Sequence, residues 1–421
     1  MENKRGDAKK DQPTGGGITD KEINEILQDA DKKLKGVSAG RSPQEQKTST
    51  PPKKNSAEKS PAQKNPTEKQ FSQMNESEFP EPYVDTSLRQ EEKERITIGR
   101  IIGTVLEFVW TVFKLTVVIG IVTIVVGFFL SRELMIRGRN GNRQALSSMY
   151  ASQTVTGNKA SEDARVKEWL ARVKREKITL EADDKSILVA RKIVTDPETD
   201  QWAVILHGYN GSMEDVYDIA MHYVEEGYNV LTPDLRGNGE SEGMFLGMGW
   251  LDRLDVINWI DVILAENPSA KIVIHGVDMG ADAALMLSGE PVKSSIKAIV
   301  AEGAYNNAWD VVKEEYELRH EKWPVFPFLY MMNPVMKVWA GYTLKQANAV
   351  KQVERTSIPI LLIHGAKDTY ASDDMTTELN QAIASTHEVC TIQTGTHEDC
   401  RYAEPENYYQ KTFDFANRYV R

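Results

Sequence analysis

Cysteine, positive charge and long apolar runs are all scarce in this chain, and each scarcity excludes something. Two cysteines in 421 residues, Cys390 and Cys400, cannot build a disulfide framework. They bracket His397, so a single bond would brace the loop carrying that histidine, while two reduced, unrelated thiols are an equal alternative. Residues 132–421 hold 31 Lys and Arg against 43 Asp and Glu, a formal charge of −12. That balance argues against nucleic acid or any other polyanion as a partner. No phosphate-binding glycine loop and no metal-ligand cluster is evident, so neither a cofactor nor a metal is expected.

Large apolar residues are nearly missing from the first hundred positions, which hold 19 Lys and Arg and 18 Asp and Glu among Pro, Ser, Thr and Gln. Such a segment cannot bury enough surface to offset its ordering entropy, so residues 1–95 are expected to form a disordered tail. Within it, Thr19-Asp20-Lys21-Glu22 has capping-box spacing, and Ile23, Ile26, Leu27, Ala30 and Leu34 share one helical face. A helix over 19–35 would either dock on a protein partner or fray, being marginal in water at that length.

One apolar run is present. Residues 101–131 contain only Glu107 and Lys114 as charges, and Leu115 to Ser131 contains none. About 20 apolar residues span a bilayer, so a transmembrane helix centred near residue 119 is expected. It lies too far from the N-terminus for a cleaved signal peptide. Arg95, Arg100 and Lys114 nearly balance Arg132, Arg137, Arg139 and Arg143 across the run. The lysine-rich tail resembles the cytoplasmic leader of Gram-positive signal-anchor proteins, which implies a cell-membrane location with the tail inside and the C-terminal domain outside.

Residues 132–175 read as a juxtamembrane linker with a helix from Ser161 to Arg175. From residue 176 apolar runs alternate with helix-period stretches. An antiparallel hairpin, Lys177–Glu181 and Ile187–Arg191, comes first. Trp202–Leu206, Asn229–Thr232, Ile272–Ile274, Ile296–Val300, Ile360–Ile363 and Glu388–Ile392 then read as strands. This alternation predicts an α/β domain with a mostly parallel sheet covered by helices on both faces. Ligand-facing loops should follow the strands, and the aromatic-rich excursion at 316–350 reads as a helical lid over an apolar pocket.

The most informative stretch is Gly276-Val277-Asp278-Met279-Gly280. It lies between an apolar strand and a helix, as the G-x-S-x-G nucleophile elbow does. At its apex stands a carboxylate instead of a hydroxyl. Together with His207-Gly-Tyr-Asn-Gly-Ser, Asp234-Leu-Arg-Gly-Asn-Gly-Glu-Ser, Ala340-Gly-Tyr, His364-Gly-Ala-Lys-Asp and Gly395-Thr-His, it makes residues 175–421 resemble the α/β-hydrolases. Membrane-associated bacterial serine-aminopeptidases and esterases are the most similar kind. The resemblance implies Asp368 as triad acid, His397 as base, and the Tyr209 and Met279 N–H groups as oxyanion hole, with Glu302 as a fallback acid and Asp282 as a second carboxylate near Asp278.

A carboxylate attacking an acyl carbon would form an anhydride, a poor intermediate, whereas attack at saturated carbon gives an ordinary ester that activated water can cleave. Haloalkane dehalogenases and epoxide hydrolases of this fold carry Asp at that position. Their usual companions are missing: Met279 stands where dehalogenases place Trp, and Asn210 where epoxide hydrolases place Pro. Three readings follow. The chain is a hydrolase of small, acyl or alkyl-type substrates with Asp278, Asp368 and His397 as its catalytic set. Alternatively, it is an inactive relative that binds a lipid, peptide or small-molecule ligand or acts as a scaffold at the membrane. Last, Asp278 replaces a native serine.

Overall fold

The computed structural model describes residues 86–136 and 153–421. The tail up to residue 85, with its helix at 19–35, and the linker at 137–152 lie outside the described residues. Eight strands form one sheet: β1 Glu176–Glu181, β2 Ile187–Ile193, β3 Gln201–Leu206, β4 Asn229–Pro233, β5 Lys271–Val277, β6 Ile296–Glu302, β7 Ile360–Gly365 and β8 His387–Ile392. Their spatial order is β1-β2-β4-β3-β5-β6-β7-β8. The β1–β2 and β2–β4 pairs are antiparallel, and every later pair is parallel. All of the strands expected from the apolar runs are present.

Successive side chains of a strand point to opposite faces, and the central strands are apolar on both. Val204, Leu206, Ile272, Ile274, Ile299 and Leu362 pack to one side. Ala203, Ile205, Val273, Val300, Leu361 and Ile363 pack to the other. Helices Asp252–Glu266 and Met279–Leu287 contribute to the first layer, and Tyr217–Glu225 and Pro405–Val420 to the second. A buried aliphatic side chain contributes about 1.5–3 kcal/mol relative to exposure, so this two-sided core fixes the sheet and the loops at its carboxyl edge.

The apolar run belongs to a helix longer than expected, Thr86–Met135. Residues 86–95, placed in the disordered tail by composition, are its first turns. Hydropathy marks only the part that matches a bilayer; it does not mark where a helix rich in Glu, Lys and Arg begins. Thr97 and Thr104 bond back to the carbonyls of Lys93 and Arg100, which satisfies their hydroxyls within the helix. This is the one helix among the described residues long and apolar enough to cross a membrane. The juxtamembrane helix lies earlier than expected, at Gln153–Leu170.

Between β6 and β7 stand helix Ala308–Arg319, short turns at Val325–Phe328 and Leu329–Met331, and helix Met332–Trp339. These occupy the expected lid region. Leu130, Leu134 and Met135, at the end of the apolar helix, are buried in the same core as Leu329, Met332 and Met336 of the lid.

Candidate active site

Strand β5 runs straight into helix Met279–Leu287, with Asp278 alone between them at φ 50°, ψ −119°. That conformation costs a non-glycine residue about 1–3 kcal/mol. The neighbouring glycines make it possible. A Cβ on Gly276 would lie 2.2 Å from the Gly280 carbonyl oxygen, and one on Gly280 would lie 2.4 Å from that of Leu206. The turn therefore lifts one side chain off the end of the sheet, and that side chain is a carboxylate.

Its two oxygens are treated differently. Oδ2 accepts a 2.7 Å hydrogen bond from the Tyr209 N–H. Oδ1 lies 3.3 Å from His397 Nε2, an ion pair. On its far side His397 meets Asp368, Nδ1 to Oδ2, at 2.9 Å. The other Asp368 oxygen accepts from the Tyr370 and Ala371 N–H groups at 2.8 and 3.0 Å, so the turn after β7 locks this carboxylate in place. The three expected residues thus converge in one constellation. Asp278 is only 1% exposed, while His397 is partly exposed.

Burial opposes a charged imidazole, but the carboxylates of Asp368 and Asp278 outweigh it and hold His397 well above its usual pKa. Burial first and the Asp278 charge second push Asp282 well above the usual carboxylate range. Asp282 accepts a 3.2 Å bond from the Tyr305 N–H and is fully buried.

The loop that presents the Tyr209 amide is pinned by His207. Its Nε2 accepts from the Leu235 N–H at 2.9 Å, which leaves Nδ1–H to donate to the Gly208 carbonyl at 2.8 Å. Asp234 secures the adjoining loops, accepting from Met213 N–H at 2.7 Å and Glu240 N–H at 2.6 Å. Met279, the other expected oxyanion residue, is the fully buried first residue of the elbow helix.

Glu302 is not part of the constellation. It accepts from the Tyr408 hydroxyl at 2.8 Å and pairs with Arg401 at 3.4 Å, in a buried group that also holds Asp218. Cys390 and Cys400 are buried free thiols, so the bracing disulfide is not formed. Sequence reasoning passed over Glu398, which directly follows His397. Ligand atoms of Asp278, His397 and Glu398 lie within 4.8 Å of one another, close enough to share a cation. The expectation that no metal-binding cluster exists is corrected to that extent: side chains 120 positions apart meet only through the fold.

The sequence pattern of the family described as the alpha/beta hydrolase fold matches residues 203–325, which include β3, the oxyanion loop and the elbow. The fold is that of the α/β-hydrolases. Its likeness to the uncharacterized protein YqkD of Bacillus subtilis is 24% identity over 217 residues, covering 51% of this chain and 70% of that protein. Among solved α/β structures, the Pyrococcus furiosus esterase Pf2001 is similar at a TM-score of 0.47 and 21% identity, covering 59% of this chain and 94% of its own. The Pyrococcus horikoshii acylaminoacyl peptidase is similar at a TM-score of 0.46 and 18% identity, covering 61% and 43% of the two chains.

Proposed function

We propose that this α/β-hydrolase is a membrane-anchored hydrolase that uses Asp278 as its nucleophile, with His397 and Asp368 as partners, on substrates that react at saturated carbon. The observation carrying this reading is that Asp278 fills its own oxyanion hole: Oδ2 sits on the Tyr209 N–H while Oδ1 faces His397. A serine-type acyl transfer needs that donor for the substrate's carbonyl oxygen. Here the donor is engaged by an anion that would also repel a developing oxyanion.

The same geometry suits a two-step reaction on an epoxide. Asp278 Oδ1 attacks a ring carbon, the C–O bond opens, and the alkoxide takes the proton held on His397 Nε2. Asp278 is now an ester whose carbonyl oxygen, Oδ2, remains on the Tyr209 N–H. Loss of the Asp278 charge removes one of the two anions that kept His397 protonated, so the imidazole becomes a base. It takes a proton from water as that water adds to the ester carbon, and the oxyanion formed there already has its donor. Collapse releases the diol, with one water proton on the diol and the other on His397, restoring the starting charges.

Anchoring is supported by helix Thr86–Met135, and the expected span at 101–131 lies within it. The flanking charges are nearly balanced, and the resemblance of the lysine-rich tail to a cytoplasmic leader favours the hydrolase domain outside the cell. A binding role without turnover is favoured by one observation, the near-complete burial of Asp278. Single turnover of excess full-length protein on an aryl epoxide in H₂¹⁸O separates the two. A covalent route places protein oxygen in the diol and ¹⁸O in the peptide carrying Asp278. Direct water attack would put ¹⁸O in the diol and leave that peptide unlabelled, and a binder would produce no diol.

A further inference from the structure

The lid of this protein is apolar on its outside. Val338 is 74% exposed, Phe326 71%, Leu318 65%, Trp323 53% and Trp339 48%. Exposed apolar groups this frequent between residues 318 and 339 mark an interaction surface. What covers them follows from how the lid is fastened. Trp339 meets Phe128 of the long helix edge-on, ring centroids 6.1 Å apart. Gly127 lies so close to Met331 that a Cβ would stand 2.1 Å from its carbonyl oxygen. His320, three residues before Trp323, pairs with Glu133 at 3.4 Å. Every exposed lid residue is therefore within a few positions of a tie to the last turns of the apolar helix.

The length of that helix sets the depth of those ties. Its uncharged part runs from Leu115 to Ser131. At 1.5 Å per residue this is about 25 Å, short of the roughly 30 Å hydrocarbon layer. A span ending before Gly127 would have to draw Lys114 and Glu107 deeper into the lipid. Gly127 and Phe128 therefore belong at the membrane edge, and the lid fastened to them lies at headgroup level, where Trp and Tyr are favoured.

We propose that the outer face of the lid is seated in the interfacial layer of the bilayer that the helix crosses, so that the partner of this surface is lipid. The inference rests on the membrane-anchored reading above. It makes the lid a membrane-contacting door whose neighbours are amphiphiles, which narrows the substrates at hand to membrane-partitioned ones.

The native thiols are buried, so single cysteines introduced as Phe326→Cys, Val338→Cys, Val118→Cys and Ser269→Cys can be labelled selectively with an environment-sensitive fluorophore. The full-length protein is placed in phosphatidylcholine–phosphatidylglycerol vesicles. Emission is quenched either by a doxyl-labelled lipid or by aqueous iodide. The expected result is doxyl quenching and iodide shielding at 326 and 338 as at 118, with the reverse at 269 on the opposite edge of the sheet. Doxyl quenching at 118 with iodide quenching at 326 and 338 would overturn the lid assignment while keeping the anchor. Absence of doxyl quenching at 118 as well would overturn the anchor and the lid assignment together.

Discussion

The hydroxyl of Tyr209 donates a 2.5 Å hydrogen bond to the carbonyl oxygen of Leu134, in the last turn of the apolar helix. The amide of the same tyrosine holds Asp278 Oδ2. The carbonyls of a final helical turn have no partner inside the helix, so they are met from outside. Leu246 N–H bonds the next carbonyl, Met135, at 2.9 Å, and the Tyr342 hydroxyl bonds Leu246 in turn at 2.7 Å. The end of the apolar helix is thus capped by the oxyanion loop and by the loops beside it. One residue links the apolar helix to Asp278.

Tyr209→Phe keeps the amide and removes only the phenol cap. A net loss of about 0.5–1.5 kcal/mol is expected, the usual contribution of one such hydrogen bond. Denaturant unfolding of the full-length protein in detergent measures it. Turnover should fall by more than the stability loss explains, because the loop carrying the amide is released from Leu134. An unchanged midpoint and unchanged turnover would mean that the cap does not tension the loop.

Asp278→Ser empties the oxyanion hole and restores a hydroxyl beside His397. Hydrolysis of a short-chain nitrophenyl ester should then rise above the His397→Ala blank, while the original protein stays at that blank. Removing the nucleophile from a serine triad costs about 10⁶ in kcat, which bounds the gain. Epoxide opening should be lost in the same variant. If both forms hydrolyse the ester equally, Asp278 is not what governs acyl chemistry here.

The strands and the order of the site residues were legible because both are local signals: apolar runs of strand length, and Asp278, Asp368 and His397 each just beyond a strand's carboxyl end. Glu398 was not, since nothing beside it in sequence tells that Gly208 packs against its carboxylate. The docking of Gly127 on Met331 was hidden for the same reason, because a glycine in an apolar run reads as lipid-facing until its neighbour across the fold is known. Glu302 was read as a spare catalytic acid from its position after β6. Its true partners, Arg401 and Tyr408, come from a region that carries no motif.

His397 carries a pH prediction with a definite sign. Its folded pKa is raised, so its contribution to stability is complete below the unfolded value of about 6.5 and is lost as pH rises through the folded value. Stability should therefore decline on the alkaline side more in the parent than in His397→Gln. Asp278→Asn removes one of the two anions and should move the His397 titration, followed by histidine side-chain NMR, back towards the ordinary value. A titration unmoved by that substitution would show that Asp278 does not help hold the proton.

Arg401 is the counter-charge for a buried acidic pair behind the site. Its Nε meets Asp218 at 2.6 Å and its Nη1 meets Glu302 at 3.4 Å, and all three are buried. Burial raises the Glu302 pKa despite the arginine. In Asp218, Arg401 together with the hydroxyl of Tyr402 and the Ile219 N–H overcomes burial and lowers it. Arg401→Met would leave these carboxylates without their cation, a change that typically costs about 3–5 kcal/mol. Because protonation relieves the uncompensated charge, the loss should shrink as pH falls towards 5. Urea midpoints of parent and variant at two pH values measure both effects. The Glu302→Gln, Arg401→Met double variant should recover part of the loss. Equal midpoints for the single and double variants would mean that Glu302 is already neutral beside Arg401 and that Asp218 alone needs the cation.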